Sequence, residues 1–197
     1  MVRRALEDAP EVEVASRADL RAWLTAHHHR PSGVWLVTYK RADPDRYLPS
    51  DAIVEECLCF GWVDSLPRAK DDLRSMLWIA PRKPGSNWSK SNKDRVARLE
   101  AAGLMTEAGH RLVEIAKADG GWTRLDGVEA LEAPPDLAAA LEAAPPARAH
   151  WDAFPRSVRR GVLEWIVNAK RPETRAARIA ETARRAAGNI RPRQWRR

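Results

Sequence analysis

The chain has 197 residues, 44% apolar and 31% charged, with a net charge of +7, a balance that excludes disordered and fibrous classes. Its length makes one compact domain the first expectation and two small ones the alternative. No apolar run approaches the roughly 20 residues of a membrane span, and residues 1–10 carry acids where a secretory signal has its apolar stretch, so the cytoplasm is the expected compartment.

Residues 1–15 lack a sustained period and are expected to be a flexible tail. Ser16 is a candidate N-cap for a helix in which Leu20, Trp23 and Leu24 recur at helical spacing, ending at His27-His28-His29 before Pro31 and Gly33. The run Val34-Trp35-Leu36-Val37-Thr38-Tyr39-Lys40 is β-branched and aromatic, hence a strand. Ser50 or Asp51 is expected to cap a second helix with Ile53, Val54, Cys57, Leu58 and Phe60 inward and Gly61 at its left-handed end. Residues 62–66 and 73–81, joined by the polar turn 68–72, read as an antiparallel hairpin.

Pro84-Gly85-Ser86-Asn87 is a turn that feeds a helix over 89–102, with Val96 and Leu99 inward and Gly103 as its stop. Thr106 caps the next helix, whose Leu112, Val113, Ile115 and Ala116 face inward as far as Gly120-Gly121. Residues 122–150, acidic and rich in Pro and Ala, read as a surface connector with a short helix over 137–141. Val158, Val162, Trp165, Ile166 and Ala169 mark an amphipathic helix, and Pro172 opens the last one, with Ala176, Ile179, Ala180, Ala183 and Ala187 as its narrow face. Outside it, Glu181 is placed to pair with Arg178, Arg184 and Arg185. The expected fold is α+β and mainly helical, with about three antiparallel strands. Its divisions are the tail 1–15, a core over 16–121, the connector 122–150, a helical hairpin over 151–190 and a basic tail over 191–197.

Charge is unevenly spread. Residues 156–197 hold 13 Lys and Arg against 3 Glu, residues 71–105 hold 7 against 4 acids, and residues 106–155 hold 4 against 9. Such polarity steers anions towards particular surfaces. Of the 34 basic residues 27 are Arg, so a single Arg points less strongly to a phosphate contact than it would in a Lys-rich chain.

The stretch most suggestive of chemistry is Pro81-Arg82-Lys83-Pro84-Gly85-Ser86-Asn87-Trp88-Ser89-Lys90-Ser91-Asn92-Lys93. Four cations flank a Gly turn that opens a helix, where free N–H groups and the positive end of the helix dipole favour an anion. The candidate ligand-binding set is Trp62, Asp64, Arg82, Lys83, Ser86, Trp88, Ser89 and Asn92. In it Trp62 and Trp88 serve as apolar walls and Asp64 orients a cation or a donor. The competing reading is ordinary capping by Ser89 or Ser91, a core Trp88 and solvated lysines.

Cys57 and Cys59, two apart on a helix, point to nearly opposite sides and read as small buried residues rather than a metal or disulfide pair. His27 and His29 do not share a helical face, so the histidine run reads as cations near a helix end; no metal and no cofactor are expected. Three functions stay open. One is capture of an anionic small molecule or an acidic partner group. The second is an enzyme on a phosphorylated or acidic substrate, with Asp64 or Cys59 as its titratable group. The third is nucleic-acid binding by the basic C-terminal helices and the tail Arg191-Pro192-Arg193-Gln194-Trp195-Arg196-Arg197.

The chain resembles the bacterial YdeI/OmpD-associated (OmdA, bacteriocin-protection) family. The likeness is carried by Cys59-Phe60-Gly61-Trp62-Val63-Asp64, by the stretch from Pro81 to Ser89 with Asn92, and by Ala169-Lys170, Glu173-Thr174-Arg175, Arg178-Ile179 and Thr182. It spans about residues 16–192; Ser65, after Asp64, departs from the pattern. The resemblance implies an α+β domain with an appended helical region and a role in protection against bacteriocins or other envelope-directed stress. It implies no particular reaction, cofactor or catalytic residue.

Overall fold

The computed structural model describes residue 6 and residues 8–192. The chain divides after Gly121 into two compact units. The first holds β1 (Glu11–Glu13), α1 (Arg17–His27), β2 (Val34–Tyr39), α2 (Ser50–Cys59), β3 (Trp62–Ala69), β4 (Arg74–Pro81), α3 (Lys90–Ala101) and α4 (Glu107–Ala118). The second holds α5 (Asp126–Glu129), α6 (Pro135–Glu142), α7 (Ala147–Ala153), α8 (Arg156–Val167) and α9 (Pro172–Ala187). The fold is α+β and mainly helical, as the periodicities indicated.

The sheet has the order β1-β2-β4-β3. The hairpin β3–β4 and the antiparallel pairing of β2 with β4 form as expected. A fourth strand, β1, lies parallel to β2 within the stretch read as a tail. Three residues, Glu-Val-Glu, are too few to display an alternation, and what holds them is external. Glu11 pairs with Lys70, Glu13 pairs with Arg74 and accepts the Tyr39 hydroxyl, and Val14 donates to the Val37 carbonyl. At the other edge, β3 shifts register between Asp64 and Pro67, where a proline suits an edge strand.

Capping follows the sequence at three helices. Ser16 accepts the Asp19 amide, Ser89 the Asn92 amide and Thr106 the Gly109 amide. The expected cap of α2 by Ser50 or Asp51 is not made: the helix begins at Ser50 after Pro49, and Asp51 instead accepts from Arg95 at 2.6 Å. Gly61 ends α2 with φ +73°, and a Cβ there would stand 3.1 Å from the Ala108 carbonyl and 3.0 Å from Leu112. Helix α2 lies against α1, α3, α4 and β3, so it organises the first unit.

One charge is embedded in that centre. Glu56 of α2 is 1% exposed and accepts from Arg17 at 2.6 Å and Arg21 at 2.8 Å. Arg21 also donates to the Leu104 carbonyl and sits over the Phe60 ring, while Glu55 takes a second nitrogen of Arg17. Two guanidinium groups compensate the desolvation of one carboxylate and fix α1 on α2.

The second unit has its own core. Leu125, Val128, Leu137 and Leu141 of the stretch read as a connector are buried with Trp151, Phe154, Val162, Ile166 and Ile179. That stretch therefore contributes three helices to a core instead of running over a surface. On α9 the buried residues are Ile179, Thr182, Ala183 and Ala186, while Ala176 and Ala180 are exposed. The face is rotated because Thr182 satisfies its hydroxyl by donating to the Arg178 carbonyl at 2.8 Å and can enter the core.

Replacing Glu56 by Gln leaves Arg17 and Arg21 without their shared carboxylate. Urea unfolding is expected to show a loss of about 3 kcal/mol; a loss below about 1 kcal/mol would show that the buried charge does not hold α1 on α2.

Candidate functional site

The loop between β4 and α3 starts where Pro81 ends the strand. The Arg82 amide then donates to the Gly61 carbonyl at 3.0 Å, which directs its side chain beneath the loop. There Arg82 is 7% exposed. Its Nη1 donates to the Asn87 carbonyl at 2.9 Å and its guanidinium lies 4.0 Å from the centre of the Trp88 ring, while Nε is buried without an acceptor. Burial pushes its pKa down to about 10, with Asp64 nearby opposing the shift. The group is still a cation at neutral pH. Among the described residues no carboxylate forms an ion pair with Arg82 or with its exposed neighbour Lys83.

Around Arg82 most of the loop's donors are already used. Ser86 turns both its amide and its hydroxyl onto the Lys83 carbonyl. The Trp88 amide donates to the Gly121 carbonyl at 3.3 Å. Ser89 is spent on its cap, Asn92 accepts from Arg95, and Lys90 pairs with Asp94. The Gly85 amide, which the turn was expected to present to a ligand, donates to Asp119 Oδ2 at 2.6 Å; the other oxygen, Oδ1, takes the Gly121 amide at 2.8 Å. Beside Arg82 remains a cavity of about 10 Å³, the room of one water, lined also by Lys83, Gly85, Trp88, Leu112 and Asp119.

The structure thus brings Arg82, Lys83, Ser86 and Trp88 to one hollow. Ser89 and Asn92 stand at the first turn of α3 and are committed to the helix start. Trp62 lies elsewhere: it is buried, donates from its indole to the His28 carbonyl at 2.9 Å and meets Trp23 edge-on at 5.6 Å. It is a core residue and not a wall of the cavity. Asp64 is half-buried on β3 opposite Ile79 and reaches Arg82 by its field, not by an ion pair. Asp119 was missed from the sequence. Its one signal was Asp119-Gly120-Gly121, an acid followed by two residues free to turn amides back onto it.

The other candidate groups have structural tasks. Cys57 and Cys59 are buried, and desolvation raises both thiols, which Arg21 only partly offsets at Cys59. Neither lines the cavity beside Arg82. His27 stacks on Trp23 at 4.9 Å, and His27 and His28 hold the Trp23 and Leu24 carbonyls. In the second unit Arg160 pairs with Glu129 and Glu164, Arg175 with Asp136 and Arg185 with Glu181, and Arg178 lies 5.0 Å from the Trp165 ring. Three arginines of the last two helices are therefore answered by acids of their own unit. Residues 193–197, including Trp195, lie outside the described residues.

Residues 12–112, half of the chain, match the model of a domain of unknown function, DUF8412. The chain belongs to that family. Residues 130–189 match the model described as Bacteriocin-protection, YdeI or OmpD-Associated, so the resemblance drawn from the sequence holds, on this part of the chain. No curated protein and no solved structure matches. The DUF8412 match ends within α4 and includes the Arg82 loop; the OmpD-associated match lies within the helical second unit.

Because the neutral thiol is a poor nucleophile, the folded protein is expected to leave Cys57 and Cys59 unmodified by a thiol reagent at pH 8, whereas urea-unfolded protein takes up two equivalents. Stoichiometric labelling of the folded chain would contradict this assignment of both cysteines to the core.

Proposed function

We propose that this protein is a YdeI/OmpD-associated-like stress- or bacteriocin-protection protein that acts by binding, taking an anionic small molecule or the acidic group of a partner at the loop between β4 and α3. The observation that carries the reading is Arg82: a guanidinium held under the loop on an aromatic face and a carbonyl, with one N–H unanswered and no carboxylate of its own. Burying a cation is costly unless a counter-charge accompanies it. Lys83 beside it, together with the start of α3, adds to a field that attracts negative charge.

The enzyme alternative needs a titratable group at the same hollow. Cys59 is enclosed in the core as a thiol and Asp64 sits on the sheet; the carboxylate that does line the hollow, Asp119, is engaged by the Gly85 and Gly121 amides, so binding is the reading the geometry favours. The nucleic-acid alternative loses support for the reason given above: Arg160, Arg175 and Arg185 answer acids of their own unit.

Calorimetry against nucleotides, sugar phosphates and acidic peptides tests this. At least one anionic class is expected to bind while its neutral counterpart does not, with affinity falling as salt rises. Lys83→Ala, at an exposed position, is expected to weaken that binding about threefold. Absence of heat with every anion, or an affinity untouched by Lys83→Ala, would overturn the reading.

A further inference from the structure

The Gly85 amide beside the cavity and the Gly121 amide are not bare; a carboxylate of the protein's own lies across them. Asp119, just past α4, places one oxygen on the Gly85 N–H and the other on the Gly121 N–H, at 2.6 and 2.8 Å. Both donors are glycines, one in each of two loops. Gly85 holds φ +74° with nothing within 4 Å of where a Cβ would stand. A Cβ on Gly121 would meet the Ser86 carbonyl at 2.7 Å and Asp119 itself at 2.8 Å, so this closeness is available only to glycine. Two N–H groups spaced to take the two oxygens of one planar group form a carboxylate clamp, and the buried cation without a carboxylate lines the same cavity.

We propose that Asp119 is a built-in stand-in, and that the group this site takes from outside is a carboxylate that displaces Asp119 from the Gly85 and Gly121 amides and lies beside Arg82 and Lys83. The inference rests on the anion-binding reading above and narrows it. Asp119 is itself exposed and lies just past the end of α4. While it stays, the site is closed to competitors, and apparent affinity is reduced by the fraction of time the clamp is occupied. The cavity, too small for more than a water with Asp119 in place, gains the volume of a carboxylate once it leaves.

The test is a backbone amide NMR titration of the full chain, wild type and Asp119→Asn, with acetate, a glutamate-rich peptide and inorganic phosphate. Acetate and the peptide are expected to shift Gly85 and Gly121, at about tenfold lower concentration in Asp119→Asn than in wild type. A peptide effective well below acetate assigns the carboxylate to a protein partner, and equal potency per carboxylate assigns it to a small acid; both support the proposal. Phosphate acting in place of either carboxylate, or shifts confined to Lys83 and the start of α3, overturns the clamp and leaves anion binding standing. No shift with any anion overturns both. If the Asn variant does not melt cooperatively, Asp119→Ala, which removes both acceptor oxygens from the Gly85 and Gly121 amides, replaces it with the same expectations.

Discussion

The loop between β4 and α3 is arranged around a guanidinium that has been taken out of water. Arg82 follows directly on the proline that ends β4, and its backbone is tied to Gly61 at the end of α2. Its side chain is then clasped by the Asn87 carbonyl and the Trp88 ring. Glu56 shows how the first unit treats a buried charge that is purely architectural. It receives two arginines from α1 and its desolvation is answered in full. Arg82 receives a carbonyl and a π face, both weaker partners for a full charge than a carboxylate. The contrast between these two buried ions, about 25 residues apart in one domain, separates scaffold from candidate site.

Much of the architecture was legible because it rests on local rules. Ser16, Ser89 and Thr106 cap the helices they precede, and Gly61 and Gly103 take the left-handed conformation at the ends of theirs. The hairpin β3–β4 follows from two apolar runs about a polar turn. What escaped was non-local. Strand β1 exists through its ladder with β2, 24 positions away, and is flanked by pairs with Lys70 and Arg74, some 60 positions away in sequence. Leu125, Val128, Leu137 and Leu141 gain their core only from helices that come later, and prolines among them look like a linker until those helices arrive.

The candidate site was legible in the same partial way. Sequence located the loop and the kinds of side chain in it, since a Gly turn with flanking cations at a helix start has a fixed physical consequence. It could not say that Arg82 turns inward while Lys83 turns out, because that choice is made by the Gly61 carbonyl. Nor could it say that Asp119 would lie across the Gly85 amide, a contact over 34 positions. Trp62, expected as an apolar wall for a ligand, is instead a core residue, because the His28 carbonyl satisfies its indole and lets it sink into the core. The family match reaches over this loop but brings no chemistry with it, so binding is inferred from the state of one cation.

That state can be observed directly through the Arg82 side-chain Nε–H signal in an NMR titration with whichever anion binds. This signal is expected to move and its exchange with water to slow, in step with occupancy, as the unanswered donor gains a negatively charged acceptor. An Arg82 signal unchanged at saturation would mean that the buried cation is settled by Asn87 and Trp88 alone, and that it belongs to the scaffold as Glu56 does.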